Sequence, residues 1–567
     1  MSNKVLSGSY LLILAVVTGI AYFINLGYND IWNPNEGFYA DAVRHLLQNN
    51  NLLDFFFNNE YRFNKPPVTY WLIALSCQLF GLSEFSIRLP IVLLAIGTCF
   101  LTGFISSILF GRKTALWSGL VMAVSFQFLI NTRYATPEIP LTFFFTLTMY
   151  FFVRYIAYRK PSDLWSVWIF LGITMLVKGY PYLIIILAIL LSYAFFLTGG
   201  NFKSLFHELK HYRMITGIVI ALIIGMSWPF YSWLKFGNDF LHVLDTETTY
   251  RAFLYQADWF SDLFFFPLVM FWGFLPYSLV FIPVAIASAI RADYRKELLF
   301  PLVWLAVMLV TFTIARFKLP TYFIQAHPAM AVITGWHLSQ SRFSDGFERW
   351  IQRLGIILPG AVLLLVFLAI IFLLNTSRFF LLLLLLPSSA LIFSYKSPDK
   401  RSFIFTFPLT ALMALFLLFA GGILPSMEKV RPYKAIGEAI RSHSKGKNSY
   451  VFLENRFLHN LPYYSRQKVA SIGSGALQKI SIQVPYFLLA EKTDTVKTNT
   501  TLLLWEGIVY NRNSEAAFFP FLISYYHYLH GDSSGFKKYR LLMVCPTKEA
   551  IPEKTPEKDK QTWTRFP

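Results

Sequence analysis

The feature of this chain that most constrains its fold is a series of apolar runs, each long enough to cross a lipid bilayer as a helix. A transmembrane helix needs about 20 apolar residues, because the hydrocarbon core is about 30 Å thick. Candidate runs lie at 8–28, 86–110, 114–131, 138–157, 164–178, 181–198, 214–235, 262–290, 298–315, 319–338, 354–375, 379–395 and 402–424. We therefore predict a polytopic α-helical membrane protein with about thirteen transmembrane helices. Gly179 and Pro181 separate the fifth run from the sixth and predict a hairpin there.

The composition excludes the soluble classes of protein. Hydrophobic residues make up 55% of the 567 residues and charged residues only 14%, whereas soluble proteins carry about 25% charged residues. The formal net charge of +19 is first a topology signal in a membrane protein and only then a hint of anionic partners. The three cysteines, Cys77, Cys99 and Cys545, imply no disulfide framework.

Basic residues cluster in every second loop between the apolar runs. Such short basic loops face the cytoplasm. The basic residues are Lys4, Arg112, Lys113, Arg154, Arg159, Lys160, Lys203, Lys210, Arg213, Arg291, Arg295, Lys296, Arg342, Arg349, Arg353, Lys396, Lys400 and Arg401. This pattern predicts a cytoplasmic N-terminus, an odd number of spans and an extracytoplasmic C-terminus. The first run has no small-residue cleavage motif after it, so we interpret it as a span rather than a cleaved signal peptide.

The remaining chain divides into two outer loops and a C-terminal domain. We predict a transmembrane domain over residues 1–424 with outer loops at 29–85 and 236–261. Residues 425–545 have mixed short patterns and predict a small extracytoplasmic α/β domain. Its predicted strands and helices are Ser449–Leu453, Thr501–Trp505, Arg540–Cys545, Lys434–His443 and Glu515–His530. The tail 546–567 is rich in Pro, Lys and Glu and is predicted to be disordered.

Carboxylates and cations recur on the predicted outer face. Ionisable groups near a membrane are functional candidates by default. A lipid phosphate would need the cations, and an acceptor hydroxyl would need a carboxylate base. The candidates are Glu36, Asp41, Lys65, Arg133, Glu138, Lys178, Glu247, Arg251, Arg316 and Lys318. The chain lacks a Gly-rich phosphate loop, a GxSxG elbow and a CxxC pair, so a soluble nucleotide-sugar fold is unsupported.

Plainer interpretations stand beside these. Arg133, Arg316 and Lys318 could reach lipid headgroups without a catalytic role. Glu36 could cap a helix start, and Glu247 with Arg251 could be an ordinary i,i+4 pair. We interpret Asp41 as a solvated helix face. His527 and His530 share a helix face but lack the further ligands that a metal site needs.

The outer-loop motifs, taken in order, resemble those of one known family. They are Glu36-Gly37-Phe38-Tyr39-Ala40, Asn64-Lys65-Pro66, Phe85-Ser86-Ile87-Arg88-Leu89-Pro90, Arg133-Tyr134, Lys178-Gly179, Gly273-Phe274-Leu275-Pro276-Tyr277-Ser278 and Lys318-Leu319-Pro320-Thr321-Tyr322. Over about residues 8–340 the chain resembles the GT-C membrane glycosyltransferases. The similar branch holds the aminoarabinose transferase of lipid A and the bacterial relatives of protein O-mannosyltransferases.

The resemblance implies roles for individual residues. Glu36 matches the second member of the family's Asp-Glu pair, and Glu138 lies where an Asp is common, so these two are the catalytic candidates. Lys65 matches a lysine that binds the donor phosphate. The residues implied to bind substrate are Asn35, Tyr39, Asn64, Lys65, Arg133, Lys178, Arg251 and Lys318. Asn35 replaces the first acid of the pair and cannot act as a base, and Asn64 replaces a Glu of some relatives, so the acidic set is shifted.

The function implied is transfer of a sugar from a polyprenyl-phosphate donor, with inversion, to an acceptor outside the cytoplasm. The acceptor would be lipid A, another glycolipid or glycan, or a protein, and the enzyme would lie in the cell inner membrane among lipids, without nucleic acid. No cofactor is required, although the outer carboxylates could hold a divalent metal. The rivals are a flippase for a lipid-linked glycan, which favours substrate groups at mid-bilayer, and a non-catalytic membrane scaffold.

Overall fold

A computed structural model describes residues 8–254, 259–339, 345–396, 404–444, 446, 448–473, 484–491, 500–512, 514–515 and 518–545. The predicted disordered tail, 546–567, lies outside the described residues. Most of the described chain is helical up to residue 430. The helices before the first long gap are α1 (Gly8–Phe23), α2 (Asn35–Asn49), α3 (Val68–Phe80), α4 (Glu84–Phe110), α5 (Arg112–Val124), α6 (Phe126–Asn131), α7 (Glu138–Tyr158), α8 (Pro161–Lys178), α9 (Pro181–Leu197), α10 (Phe202–His211), α11 (Met214–Gly225), α12 (Ser227–Phe236) and α13 (Asn238–Asp245). They continue with α14 (Trp259–Gly273), α15 (Ser278–Ile290), α16 (Ala292–Glu297), α17 (Leu299–Ile314), α18 (His327–Ser339), α19 (Asp345–Trp350), α20 (Leu358–Leu373), α21 (Leu385–Lys396), α22 (Phe407–Leu418) and α23 (Leu424–Met427).

Helices occupy each predicted span, which makes the chain a polytopic helical membrane protein. Among the described residues, four helical segments are long and apolar enough to cross a membrane by themselves, and the bent pair α11 and α12 makes a possible fifth. The other predicted spans hold shorter or less apolar helices, and breaks divide some of them. The count of thirteen therefore stays a prediction, while the predicted break after Lys178 is present, since α8 ends there and Gly179 has a φ of +119°.

The predicted span 262–290 is wrong as a single helix. The structure divides it into α14 and α15, which are separated by Phe274 to Tyr277. Pro276 lacks a backbone N–H and disfavours helix at the residue before it. The apolar run continued through this break, so hydropathy alone could not reveal it.

The membrane helices pack around α4, which contacts α5 and α7, while α7 contacts α8 and α5 contacts α18. Small residues allow the close approaches. A side chain on Gly335 of α18 would meet the backbone of Ser118 in α5. The core between these helices is built from buried aromatic and branched side chains, including Trp168, Trp304 and Trp336.

The C-terminal part contains a mixed five-stranded sheet. Its strands are β3 (Tyr450–Glu454), β4 (Lys468–Ile472), β5 (Tyr486–Ala490), β6 (Thr500–Tyr510) and β7 (Phe536–Cys545), after a small hairpin of β1 (Phe56–Phe57) and β2 (Glu60–Tyr61) in the first loop. The order is β4-β3-β5-β7-β6, with β3 parallel to both neighbours and β7 antiparallel to both of its own. Helices α24 (Tyr433–Ser444), α25 (Leu461–Ser465) and α26 (Phe518–Leu529) accompany it. The three strands and two helices predicted here are thus present, with shifted ends.

The first outer loop docks directly on this sheet. The side-chain amide of Asn58 donates to Val469 O at 2.8 Å and accepts from Val469 N at 2.7 Å, so it pairs with the backbone of β4, the edge strand. Asn460 Nδ2 donates to Ile31 O at 2.8 Å, and His459 N donates to Asn33 Oδ1 at 2.7 Å. Loop and sheet therefore lie on one face of the molecule.

Gly37→Ala should weaken this docking. Gly37 is in the first turn of α2, where an added Cβ would lie 2.5 Å from the backbone oxygen of His459. Overpacking against backbone costs about 1–3 kcal/mol, so we expect a lower melting temperature in detergent. Gly19→Ala in α1 is the matched control, because nothing lies within 4 Å of its added Cβ. Equal melting temperatures for the two variants would contradict the docking.

Contacts between loops bear on how often the chain crosses the membrane. Loop 29–85 contacts the backbone of Ala135, the carboxylate of Glu247 and the C-terminal sheet. A chain that leaves one face and returns to it crosses an even number of times. With α1 predicted as one further span, an odd total is expected, and this parity stays a prediction. Segments predicted on the opposite face also meet, as Arg159 does with Glu208 at 2.8 Å.

A reporter fused after Ser444 should therefore be active only outside the cytoplasm. The control is a fusion after Asn201, between α9 and α10, which the charge pattern places inside. Alkaline phosphatase activity with the first fusion and none with the second is the expected result. Activity with the second fusion alone would overturn the topology.

Candidate functional site

Two outer loops meet at a carboxylate that three donors share. Lys65 Nζ lies 2.6 Å from Glu247 Oε2, and Arg251 Nη1 lies 2.7 Å from the same oxygen. Asn64 Nδ2 donates to the other oxygen, Oε1, at 3.1 Å. We call Asn64, Lys65, Glu247 and Arg251 the cation cluster.

Local sequence explains how each arm of the cation cluster is held. Pro66 and Pro67 follow Lys65 and prevent a helix from running through it, so α3 begins only at Val68. Glu247 and Arg251 lie in a π-helical segment, Thr246–Leu254, a rare geometry that is frequent at functional sites. The guanidinium of Arg251 lies 5.1 Å from the ring centroid of Phe317, and Arg251 O accepts from Phe317 N at 2.9 Å.

The charges of the cluster shift one another's ionisation. Burial lowers the pKa of Lys65, and Glu247 opposes that shift only in part. Burial alone would raise the pKa of Glu247, but Lys65 and Arg251 outweigh it and hold the pKa below its ordinary value. Glu247 is therefore ionised at neutral pH, and the site pairs one fixed anion with two cations.

A second ion pair lies within the field of the first. Lys178 Nζ is 2.9 Å from Glu138 Oε1, at the end of α8 and the start of α7. The same ammonium lies 4.9 Å from the ring centroid of Tyr322. Tyr322 feels the charges of Lys178, Arg251, Glu247 and Glu138, so the two ion pairs lie near each other. Glu138 is 13% exposed.

Glu36 occupies a different and closed environment. Its Oε1 accepts from Arg88 Nε at 2.8 Å and Ala135 N at 3.0 Å, and its Oε2 accepts from Arg88 Nη2 at 2.7 Å and Trp32 N at 2.9 Å. The side chain is 0% exposed. A carboxylate offers about four acceptor positions, and four donors fill them. Trp32 N lies before α2, and no side chain caps the start of that helix, so the interpretation of Glu36 as a helix cap is wrong.

The other predicted substrate-binding residues lie apart or serve the backbone in this conformation. Arg133 is buried and donates to Ile24 O at 2.5 Å and Asn25 O at 3.0 Å, beyond the end of α1. Lys318 Nζ donates to Thr313 O at 3.0 Å, at the end of α17. Asn35 is exposed in the first turn of α2. Tyr39 stacks on Tyr70 with ring centroids 4.7 Å apart, and it feels the charges of Glu138 and Glu247.

The interpretation of Asp41 as a solvated helix face is wrong. Its side chain is 0% exposed and pairs with Arg44 at 2.6 Å, while Asn58 N donates to its second oxygen at 2.7 Å. The β1–β2 hairpin folds over this face of α2 and covers it. Such a contact between distant positions left no trace in the local pattern.

The sequence alone assigns no role to two arginines of this region. Arg88 is the partner of Glu36 and is 2% exposed; a charged residue beginning an apolar span is a signal that could have singled it out. Arg431 binds Glu515 at 2.9 Å and lies 3.8 Å above the ring of Trp32. It anchors the chain that leads out of the membrane domain onto the first loop.

Metal chemistry has little support from the side chains that the structure describes. No group of three or more His, Cys, Asp or Glu side chains among them could hold a metal ion. His530 Nδ1 lies 2.8 Å from Tyr526 O and His527 lies 4.0 Å from Asp532, which is an ordinary helix-end arrangement.

Comparison with known proteins gives a consistent picture. Residues 64–233 match the family model for dolichyl-phosphate-mannose-protein mannosyltransferase. A protein of Aquifex aeolicus (strain VF5), named only as uncharacterized, is 32% identical over 95% of this chain and 99% of its own. An undecaprenyl phosphate-alpha-4-amino-4-deoxy-L-arabinose arabinosyl transferase of Proteus mirabilis (strain HI4320) is 24% identical over 57% of this chain and 58% of its own.

A solved structure shares the whole fold. The crystal structure of ArnT from Cupriavidus metallidurans bound to undecaprenyl phosphate superimposes with a TM-score of 0.73 at 18% identity. The match covers 96% of this chain and 100% of that one. The matched region therefore includes residues of the C-terminal sheet.

Proposed function

The chain belongs to the GT-C membrane glycosyltransferases of the lipid A aminoarabinose transferase type, and we propose that it transfers a sugar from a polyprenyl-phosphate donor to an acceptor outside the cytoplasm. The acceptor would be lipid A, another glycolipid or glycan, or a protein. The observation that carries this proposal is that Lys65 and Arg251 come from two separate loops to share Glu247, while Lys178, paired with Glu138, lies within electrostatic range of Lys65. Cations that come together from distant positions in the sequence favour a binding site for one anionic ligand. Separate contacts with lipid headgroups would not require them to lie close together.

The proposed mechanism uses Glu138 as the base. Its carboxylate takes the proton of the acceptor hydroxyl while that oxygen attacks the anomeric carbon of the sugar. The bond from this carbon to the phosphate oxygen breaks, and the phosphate keeps the bonding electrons. Lys65 and Arg251 stabilise the charge that builds on the phosphate. Attack opposite the leaving group inverts the configuration of the sugar.

The relative roles of the two acids follow from their surroundings. Glu36 would have to give up one of four hydrogen bonds before it could accept a proton. Glu138 pairs with Lys178 and is also hydrogen-bonded by the Thr136 side chain, but at 13% exposure it is more accessible than Glu36, which is 0% exposed. We therefore assign the base role to Glu138 and a structural role to Glu36. The sequence alone names both residues as catalytic candidates without ranking them.

The proposal also covers location and metal. We place the enzyme in the inner membrane with its sheet domain outside the cytoplasm, because loop 29–85 contacts that domain and the basic segments lie on the other face. Lys65, Arg251 and Lys178 already neutralise the carboxylates of the site, so we expect transfer to continue in EDTA.

The test is transfer of radiolabelled sugar by the purified protein. A polyprenyl-phosphate sugar is supplied with outer-membrane lipid, glycan or protein fractions as acceptors, and the labelled product identifies the acceptor class. Release of polyprenyl phosphate with label in one fraction is the expected result. A flippase would move the donor across vesicles with its sugar–phosphate bond intact, and a scaffold would leave the donor unchanged; either outcome would refute the proposal.

A further inference from the structure

Glu247 places a fixed negative charge inside the proposed phosphate site. Its carboxylate touches the two cations that would bind the donor phosphate, Lys65 at 2.6 Å and Arg251 at 2.7 Å. A phosphate that binds both cations must therefore lie beside this carboxylate or displace it. The proposed reaction does not require such a carboxylate, since Glu138 serves as its base.

The charges around this site leave a small positive excess. The cations are Lys65, Arg251, Lys178 and Arg62, and the anions are Glu138 and Glu247. Their fields overlap, because Lys178 and Arg251 both act on Lys65, and Tyr322 feels both carboxylates. Glu247 lowers the positive excess by one charge at the two cations that it contacts.

The two lipids that the proposed reaction exchanges differ in this respect. A polyprenyl-phosphate sugar is a phosphodiester and carries one negative charge. The spent carrier is a phosphate monoester and carries close to two charges at neutral pH, since its second pKa is about 6. Without Glu247, the site would have one more positive charge and would favour the spent carrier.

We propose that Glu247 is a specificity-determining residue that makes the site prefer the singly charged donor over the doubly charged spent carrier. This inference rests on the proposed function. It gives a role to Glu247, which takes part in no step of the proposed mechanism. The preference limits product inhibition, because the carrier leaves once transfer has given it a second charge. Repulsion between Glu247 and the second charge is the physical cause.

Glu247 also holds Lys65 and Arg251 in place, and this second effect must be separated from the first. Loss of positioning would weaken both lipids alike, since both use the same cations. Loss of the negative charge strengthens binding of the monoester more than binding of the diester. The effect of positioning therefore cancels in the ratio of the two affinities. A change in this ratio measures the effect of the charge on Glu247.

The experiment measures binding of polyprenyl phosphate and of its methyl diester, with equal chain lengths, to purified protein at about pH 8. In Glu247→Gln the affinity ratio of monoester to diester should rise at least about tenfold over the wild type, as one removed charge at hydrogen-bonding range implies. Glu247→Ala removes the same charge together with its hydrogen bonds and should shift the ratio in the same direction. The matched control is Glu60→Gln, which neutralises a half-exposed acid of the first outer loop that pairs with Lys468 at 3.1 Å, and its ratio should stay at the wild-type value.

Outcomes of this experiment separate the two levels of the proposal. If the wild type binds both lipids and the ratio is unchanged or lower in both Glu247 variants, the charge role is wrong and Glu247 only positions the cations. If the wild type binds neither lipid, the proposed function itself fails. A ratio that rises equally in Glu60→Gln would mean that overall charge, rather than Glu247, sets the preference.

Discussion

We expect Lys65→Ala to lower the turnover of sugar transfer at least about a hundredfold while the amount of folded protein stays near normal. Lys65 is one of two cations that pair with the carboxylate of Glu247, and it lies in the loop just before α3. Removing a group that stabilises the leaving phosphate costs on the order of 2 to 4 kcal/mol in the transition state. Single-turnover rates with a polyprenyl-phosphate sugar measure this loss directly.

Two further variants sharpen this prediction. Lys65→Arg should also be impaired, because a planar guanidinium does not replace an ammonium placed as a point charge. Lys235→Ala is the matched control: Lys235 also belongs to an outer segment and pairs with Asp54, but it lies outside the cation cluster. Transfer at a near-normal rate by Lys65→Ala would reduce this lysine to an interfacial anchor. The phosphate site would then have to be sought at Arg251 or Lys178.

Glu138→Gln and Glu36→Gln should fail in different ways. Glu138→Gln removes the proposed base and should lower turnover by about 10² to 10⁴ in protein of normal abundance. Glu36→Gln leaves the buried guanidinium of Arg88, which is 2% exposed, without its counter-charge. Breaking a buried ion pair from one side costs about 3–5 kcal/mol, so the yield of folded protein should fall.

The comparison is made on purified protein, with thermal unfolding measured beside turnover. Full activity in both variants would refute the mechanism. A folded Glu36→Gln protein that loses turnover as strongly as Glu138→Gln would return the base role to Glu36. Asn35→Asp is an informative companion, because it restores the acid that the family usually has at an exposed position in the first turn of α2.

Much of the fold could be predicted because long apolar runs in the sequence identify membrane helices. The apolar runs place helices in nearly the right positions, and Gly179 with Pro181 marks a true break. The prediction of one helix over 262–290 was wrong, because apolar residues continue on both sides of Pro276 and hide the break between α14 and α15. Hydropathy measures the partition of residues into lipid, not the continuity of the backbone.

The site could be predicted in part because its residues lie in loops that share one membrane face. Their place in these loops and the resemblance predict Lys65, Glu138, Lys178 and Arg251 as site residues, and the structure brings them into one electrostatic neighbourhood. Their pairing could not be predicted, because Lys65 and Glu247 are far apart in sequence. Local patterns carry no information about which loop meets which.

The buried acids show the same limit. Glu36 and Asp41 are both 0% exposed, yet each has a polar sequence context that suggests solvent. Their partners are Arg88 at the start of α4 and Asn58 in the β1–β2 hairpin. Only the docking of the first loop against the membrane domain and the C-terminal sheet closes these contacts.

The central claim is that the cation cluster binds the phosphate of a polyprenyl lipid. The most direct measurement is an electron cryo-microscopy structure of the purified protein with polyprenyl phosphate added. We expect a phosphate within about 3 Å of Lys65 Nζ and of the Arg251 guanidinium, with Glu247 moved aside or touching the phosphate's neighbours. A phosphate bound at Arg133 or on the opposite face, with Lys65 still paired to Glu247, would contradict it.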